Sequence, residues 1–290
     1  MSAPQDSAAT FAPHRARLVR VAYRMLGSVA EAEDMVQEAY LRWHQTDRSV
    51  VANAQAFLAK VVTRLCLDHL KSARVQRETY IGPWVPEPLV EQAAEDDADD
   101  LTLALMMALE RLSPLERAAF LLHDVFGMGF DDVGQAIERD PAACRQLATR
   151  ARSHVQAAKP RFPVSAEQGR DIAAAFFTAA RQGDMAGLRK VLANDVIVYS
   201  DGGGKKPAAG VPLEGIEKVL HVFGGFARLP GFATPQILYQ GDIDGLPGYV
   251  TIEIGETLQT MAFAIEDGRI TAIYIVRNPD KLRHLQHQGA

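Results

Sequence analysis

Arg145, Gln146, Thr149, Arg150 and Arg152 crowd into one short segment. Guanidinium and carboxamide groups make paired hydrogen bonds to purine edges, and arginine also makes charge-assisted bonds to phosphate oxygens. Cys144, Ala148 and Ala151 alternate with these residues at three- and four-residue steps. A helix that buries the small residues therefore presents the basic and amide side chains on its free faces. Asp140-Pro141 is the start signal for that helix. Upstream, Ser113-Pro114-Leu115-Glu116 reads as a capping box with proline in the first turn. An apolar stripe follows at Leu115, Ala118, Ala119, Leu121 and Leu122. Gly127 and Gly129 interrupt it, and Phe130, Val133, Ala136 and Ile137 begin a second run. Residues 113–152 thus predict a helix-turn-helix whose last helix could enter a DNA major groove. A plain three-helix bundle carries the same pattern, so the rest of the chain must discriminate.

At 290 residues the chain is long enough for two or three domains, and 48% hydrophobic with 23% charged residues is ordinary for a globular protein. No apolar run approaches the roughly 20 residues that cross a bilayer, and the first residues lack the apolar centre of a secretion signal. The expectation is a cytoplasmic protein with no membrane association. Cys66 and Cys144 each sit in an apolar helical stripe without CxxC spacing. Buried thiols are expected, with neither disulfide, metal nor cofactor. The net charge of −5 is unevenly placed. Glu87, Glu91, Glu95, Asp96, Asp97, Asp99, Asp100 and Glu110 fall in a stretch without lysine or arginine, flanked by basic helices carrying Arg64, Lys71, Arg74 and Arg77 before it and Arg145, Arg150 and Arg152 after it. Phosphates feel this local field, not the total.

Residues 1–12 are polar and unpatterned and read as a disordered tail. From Arg15 a helix places Leu18, Val21, Ala22, Met25 and Leu26 on one face, and Gly27 ends it. Ser28 caps the next helix, which turns Met35, Val36, Ala39, Tyr40 and Trp43 inward and Glu31, Asp34, Gln37, Glu38 and Arg42 outward. After a polar loop over 44–53, residues 54–77 form one long helix with Phe57, Leu58, Val61, Leu65 and Leu70 inward and Lys60, Arg64, Lys71, Arg74 and Arg77 toward its exposed and C-terminal parts. Residues 80–90, YIGPWVPEPLV, hold three prolines and favour extended backbone. Trp84, Val85, Leu89 and Val90 in this stretch either dock on another element or cover local apolar surface.

Beyond residue 163, two amphipathic helices come first, one carrying Ile172, Phe176 and Ala179 and the other Leu188 and Val191. A strand over 196–199, a turn at Gly202-Gly203-Gly204 and a helix over 216–226 follow. Strand-like runs over 236–240, 249–254, 257–265 and 270–276 are joined by turn signals such as Gly241-Asp242 and Asp267-Gly268. Helices first and an antiparallel sheet after predict an α+β cone. Tyr199, Asp201, His221, Asp242 and Tyr274 are residue types able to supply a general acid and base, but no pair has diagnostic spacing. The 201–204 turn lacks the GK[ST] ending of a phosphate loop.

GSVAEAEDMVQEAYLRWHQ, followed by FLAKVVTRLCLDHLKSAR, resembles the sigma-two domain of bacterial extracytoplasmic-function sigma factors. SPLERAAFLLHDVFGMGFDDVGQAIERDPAACRQLATRAR resembles their sigma-four domain. The resemblance implies that 32–43 docks on the β′ clamp helices of RNA polymerase core through Asp34, Gln37, Glu38 and Leu41, with the β flap a second polymerase contact. It implies that 44–77 reads and melts the minus-ten element, with Arg48 and Asn53 at a base pocket and Lys60, Arg64, Lys71 and Arg74 on phosphates. It also implies that the helix from Pro141 reads the minus-thirty-five element, with Arg145 and Gln146 on bases, Ala142 and Thr149 close by, and Arg150 and Arg152 on phosphates.

The C-terminal portion is similar to SnoaL-like members of the nuclear-transport-factor-two superfamily. Three short motifs resemble those of one sigma-factor subgroup that carries such a domain. They are Trp84-Val85-Pro86-Glu87-Pro88, with valine where the subgroup has leucine, Asp201-Gly202-Gly203-Gly204-Lys205 and Asn278-Pro279-Asp280-Lys281-Leu282. The implied organisation is two all-α helical domains, sigma-two over 13–79 and a sigma-four helix-turn-helix over 101–162, joined by a Pro-rich and acidic linker over 80–100. An α+β SnoaL-like regulatory domain follows over 163–290. The implied function is promoter selection for core polymerase, regulated in cis by the last domain, with a small-molecule ligand in the cone possible and catalysis not expected. The alternative is a helix-turn-helix regulator fused to a small-molecule-binding or isomerase-like cone.

Overall fold

The structure, a computed structural model, describes residues 7–78, 80–90, 102–158 and 164–285, with the side chains of 73–78 and 157–158 excepted. The expected tail at 1–6, the acidic tract at 91–101, residues 161–163 and the side chains of Arg74 and Arg77 lie outside the described residues. Two units emerge, one of residues 1–78 and 108–158, the other of 79–107 and 159–290.

The first unit is helical. Its elements are α1 (Ser7–Leu26), α2 (Val29–Gln45), α3 (Ala54–Glu78), the end of α4 (Leu103–Glu110), α5 (Pro114–Phe120), α6 (Phe130–Ile137) and α7 (Pro141–Ala158). Helix α1 begins eight residues before the expected Arg15, so residues 7–12 are not a disordered tail. Tertiary contacts recruit this weakly patterned segment. Phe11 is buried edge-on against Tyr40 at 5.1 Å, and Trp43 Nε1 donates to Thr10 Oγ1 at 3.1 Å. Ser28 caps α2 as expected, accepting from Glu31 N. On α3, Leu58, Val62, Cys66, Leu67 and Leu70 are buried, whereas Phe57, Val61 and Leu65 are only half-buried. The inward stripe is displaced from the expected one because α3 packs against α1 and α2 and also against α5 and α6. Burial pushes the Cys66 thiol far above its ordinary value, which keeps it protonated and inert.

The capping box at Ser113 and Glu116 is present in both directions. After α5 the backbone widens into one π-type turn over Leu121–Val125, closed by Phe126 N donating to Leu121 O at 2.9 Å. Between α6 and α7 the chain reverses within three residues, with Glu138 left-handed at φ 57°. A Cβ on Gly134 would stand 2.6 Å from the Arg139 carbonyl oxygen, so this close approach requires glycine.

The second unit is α+β. Helices α8 (Ala166–Gln182), α9 (Met185–Val191) and α10 (Ile216–Phe226) pack on one six-stranded sheet. Its strands are β1 (Leu192–Asp201), β2 (Leu213–Glu214), β3 (Gln236–Ile243), β4 (Leu246–Glu253), β5 (Thr257–Glu266) and β6 (Arg269–Val276), in the order β2-β1-β6-β5-β4-β3. The sheet is mixed, not purely antiparallel, because β1 pairs with β6 in parallel. The first β-hairpin turns at Asp244-Gly245, not at the expected Gly241-Asp242, which pair within β3 and β4. Asp244 and Gly245 both have positive φ, the geometry of a two-residue hairpin whose twist matches its strands. Phe176 contacts Phe223 and Phe263 at the centre of the core. Among the described residues no helix is long and apolar enough to cross a membrane.

Candidate functional site

Three polar surfaces of the first unit contain the residues singled out by sequence. On α2, Asp34, Gln37 and Leu41 are exposed, Leu41 to 49%, and Glu38 is half-exposed and paired with Arg42 at 3.0 Å. On α7, Cys144, Ala148 and Ala151 are fully buried, which leaves Ala142, Arg145, Gln146, Thr149 and Arg150 exposed along one helix and Arg152 half-exposed. Asp140 caps this helix by accepting from Ala143 N at 2.8 Å. Internal partners orient several of these cations. Arg145 lies over the Phe130 ring at 5.4 Å, Arg150 pairs with Glu116 at 2.9 Å and Arg152 pairs with Asp124 at 2.6 Å. Gln146 is exposed in the middle of the group.

The minus-ten candidates are more dispersed. The expected 44–53 loop contains a single turn of tight helix at Arg48–Val50, with Asp47 capping it through Ser49. Arg48 reaches the Trp43 carbonyl at 3.4 Å. The Asn53 side-chain oxygen accepts from Ala56 N at 3.0 Å, so Asn53 is engaged as the start cap of α3. Lys60 is half-buried, Lys71 pairs with Asp68 at 2.8 Å, and Arg64 is bound to the end of α6.

In the second unit the three short motifs meet. Asp201, at the end of β1, is fully buried and its carboxylate is surrounded by donors. Oδ1 accepts from the Tyr80 hydroxyl and from Gly203 N, the latter at 3.0 Å, and Oδ2 accepts from Val85 N at 3.0 Å and Lys281 Nζ at 2.8 Å. Lys281 is 3% exposed; its ammonium also donates to the Val85 carbonyl and stands 3.2 Å above the centre of the Trp84 ring. Asn278 Nδ2 donates to the Tyr80 oxygen at 2.9 Å. At the rim, Asp280 pairs with Lys205 and with Arg283, the second at 2.6 Å. Burial, then the Asp201 carboxylate beside it, pushes the Tyr80 phenol well above its ordinary value. The glycines of the turn are needed for contact. A Cβ on Gly203 would lie 2.2 Å from Asn278 Nδ2, and one on Gly204 would lie 2.8 Å from Ile81 Cδ1.

Sequence reasoning missed the second anchor of the 80–90 segment. Asp244, in the β3–β4 turn, accepts from Leu89 N through Oδ2 at 3.0 Å, and its own N–H donates to Leu89 O at 2.9 Å. Its carbonyl accepts from Leu103 N at 2.9 Å, and Val90 bridges to Ile243. The Asp-Gly pair was a legible turn signal, but nothing local showed that its carboxylate would face another segment. His284 adds a bond to the Pro88 carbonyl at 2.7 Å, and because a carbonyl only accepts, its proton sits on Nε2. Pro86, Glu87 and Pro88 lie between Val85, held by Asp201, and Leu89, held by Asp244, and prolines keep this stretch extended from one anchor to the other. Val85, Pro86, Glu87 and Pro88 are all buried, so the segment is docked and not merely solvated.

The possible acid and base residues are not assembled. Asp201 is held by the 80–90 segment, Tyr199 stacks on Tyr274 at 5.4 Å, His221 is exposed on α10, and Asp242 lies on β3 at the far side of the sheet. A second buried polar cluster of this unit is closed on itself. Arg181 forms a two-pronged ion pair with Glu253 at 2.6 and 2.9 Å and lies between the Phe177 and Phe232 rings, while Glu253 Oε1 also accepts from Thr251 and Gln259.

The helical unit thus exposes an acidic-apolar face on one helix and a basic-amide face on a helix-turn-helix. Residues 10–75 match the family Sigma-70 region 2, and residues 102–155 match Sigma-70, region 4. The chain is 36% identical over 286 residues to the ECF RNA polymerase sigma factor SigJ of Mycobacterium tuberculosis, covering 92% of this chain and 90% of that protein. It is 33% identical to the probable ECF RNA polymerase sigma factor SigI of the same organism, covering 99% and 98%. The crystal structure of M. tuberculosis SigJ superimposes with a TM-score of 0.75 at 34% identity, covering 96% of this chain and 98% of that one. The chain belongs to the ECF RNA polymerase sigma factors, which are transcription initiation factors and not enzymes.

Proposed function

We propose that the chain directs RNA polymerase core to promoter DNA, and that its C-terminal unit regulates it in cis by holding the linker between the two DNA-binding regions. In this reading Asp34, Gln37, Glu38 and Leu41 meet the β′ clamp helices, and region four meets the β flap. Ala142, Arg145, Gln146 and Thr149 read the minus-thirty-five element, with Arg150 and Arg152 on its phosphates. Arg48, Lys60, Arg64, Lys71 and Arg74 serve the minus-ten element. Asn53 positions this segment by capping α3.

The observation that carries cis regulation is the buried pair of Asp201 and Lys281, which grips the linker backbone at Val85 from both its N–H and its carbonyl. A flexible linker sets only an average effective concentration of one region for the other, whereas a linker fixed at Asp201 and Asp244 sets a geometry. No ligand is assigned to the cone in this reading, because aliphatic and aromatic side chains pack its core and the Arg181–Glu253 cluster has its hydrogen bonds satisfied internally.

Run-off transcription with core polymerase on a promoter library tests both parts. Core polymerase that gains no start-site selectivity from the chain overturns the sigma reading. Lys281→Met and truncation before Asn278 are expected to change promoter output at least threefold, and unchanged output overturns regulation by the linker clasp.

A further inference from the structure

Arg64 is committed elsewhere than its position on the minus-ten helix would suggest. Helix α6 ends at Glu138, whose left-handed backbone sends its N–H back to the Gly134 carbonyl, and Arg139 N donates to the same oxygen at 3.1 Å. The carbonyls of Gln135 and Ala136 are among those that a helix end leaves without backbone donors, at the negative end of its dipole. Arg64 supplies them, Nε to Ala136 O at 3.3 Å and Nη2 to Gln135 O at 3.1 Å, and Nη2 also pairs with the Glu138 carboxylate at 2.8 Å. Three oxygens bearing partial or full negative charge around one guanidinium resemble the set that a backbone phosphate offers.

We propose that the C-terminal end of α6 is an internal surrogate for promoter phosphate, occupying Arg64 until the minus-ten strand displaces it. The proposal rests on the reading that Arg64 contacts minus-ten phosphate. Two observations give it direction. First, the surrogate belongs to region four and Arg64 to region two. The two elements are about 25 base pairs apart by name, roughly 85 Å of duplex at ~3.4 Å per base pair. Two touching domains of this size have centres roughly 25–30 Å apart, so the packed first unit cannot occupy both elements and this contact must break. Second, the latch is built to be reversible. The side chains of Arg64 and Glu138 are 39% and 71% exposed, and the pair borders an open cleft of about 380 Å³ that Lys71 and Arg139 also line. Arg117 and Arg17 join the same two regions through the Met25 and Phe126 carbonyls, so releasing the latch alone has a modest effect.

The test is fluorescence anisotropy of the full chain with a labelled 20-nucleotide single-stranded DNA of random sequence, comparing wild type, Glu138→Gly, Arg64→Ala and the double variant. Glycine suits the left-handed backbone of position 138. Glu138→Gly is expected to bind roughly two- to five-fold more tightly, the range of an exposed ion pair, Arg64→Ala to bind more weakly, and the double variant to match Arg64→Ala. If Arg64→Ala weakens binding but Glu138→Gly gives no gain, the surrogate is wrong and the phosphate role of Arg64 stands. A gain that persists without Arg64 is a general charge effect and also overturns the surrogate. If Arg64→Ala loses nothing, the phosphate reading of Arg64 fails and the surrogate with it.

Discussion

Two sets of polar contacts, one in the helical unit and one in the sheet unit, follow opposite rules. In the first, the arginines of Arg64–Glu138, Arg150–Glu116 and Arg152–Asp124 stay 39%, 61% and 41% exposed. In the second, Asp201 and Lys281 are 0% and 3% exposed and meet main-chain atoms of the linker as well as each other. Exposed pairs contribute about 0–1 kcal/mol and yield to competing ions. A buried pair contributes little net stability relative to apolar replacements, but removing one member strands the other charge at about 3–5 kcal/mol. The ion pairs of Arg64, Arg150 and Arg152 are therefore exchangeable, whereas the linker contacts define one conformation.

The largest effect expected from this contrast is on Lys281→Met, which leaves Asp201 charged and buried. It should destabilise linker docking by about 3–5 kcal/mol, read by urea titration of the fluorescence of Trp84, one of two tryptophans in the chain. Adding Asp201→Asn should recover part of the loss, and a loss under 1 kcal/mol would remove the distinction between the units. Gly203→Ala comes next. Its Cβ would overlap Asn278 at a positive φ of 57°, for an expected loss of about 1–3 kcal/mol in the same titration.

The pH dependence of docking follows from Tyr80. Its phenol is held above the ordinary value of 10.0 by burial first and the Asp201 hydrogen bond second. The docked state thus binds this proton more tightly than the released state, so the contribution of Tyr80 is complete below pH 10 and declines as the pH rises above it. Trp84 emission should be flat from pH 7 to about 10, and loosening near neutrality would contradict the assignment. The smallest effect is expected for Arg150→Gln. Unfolding should change by no more than about 0.5 kcal/mol, while the salt slope of duplex binding should fall by about 0.9. A large stability loss without a slope change would make Arg150 structural.

Local chemistry made the helix-turn-helix readable in advance. Ser113 and Glu116 announce a start, Cys144, Ala148 and Ala151 mark the buried face of α7, and the remaining positions are the exposed ones. The same logic failed at residues 7–12, where Phe11 becomes helical through Tyr40 and Trp43, residues that no local window includes. Nor did it show that Asn53 caps α3, or that Arg64 bonds carbonyls more than 70 residues away.

Sequence alone determined most of the helices and strands and where the basic and acidic faces lie, because capping, periodicity and turn chemistry act over a few residues; that three short motifs belong together came from their resemblance to one sigma-factor subgroup. Only the tertiary structure decided what those motifs touch. Asp201 and Asp244 are separated by the length of several strands in sequence, yet each holds the linker. Which backbone groups a buried carboxylate satisfies depends on the sheet order and on the path of an extended chain across it, and neither is encoded in the spacing of residues along the polypeptide.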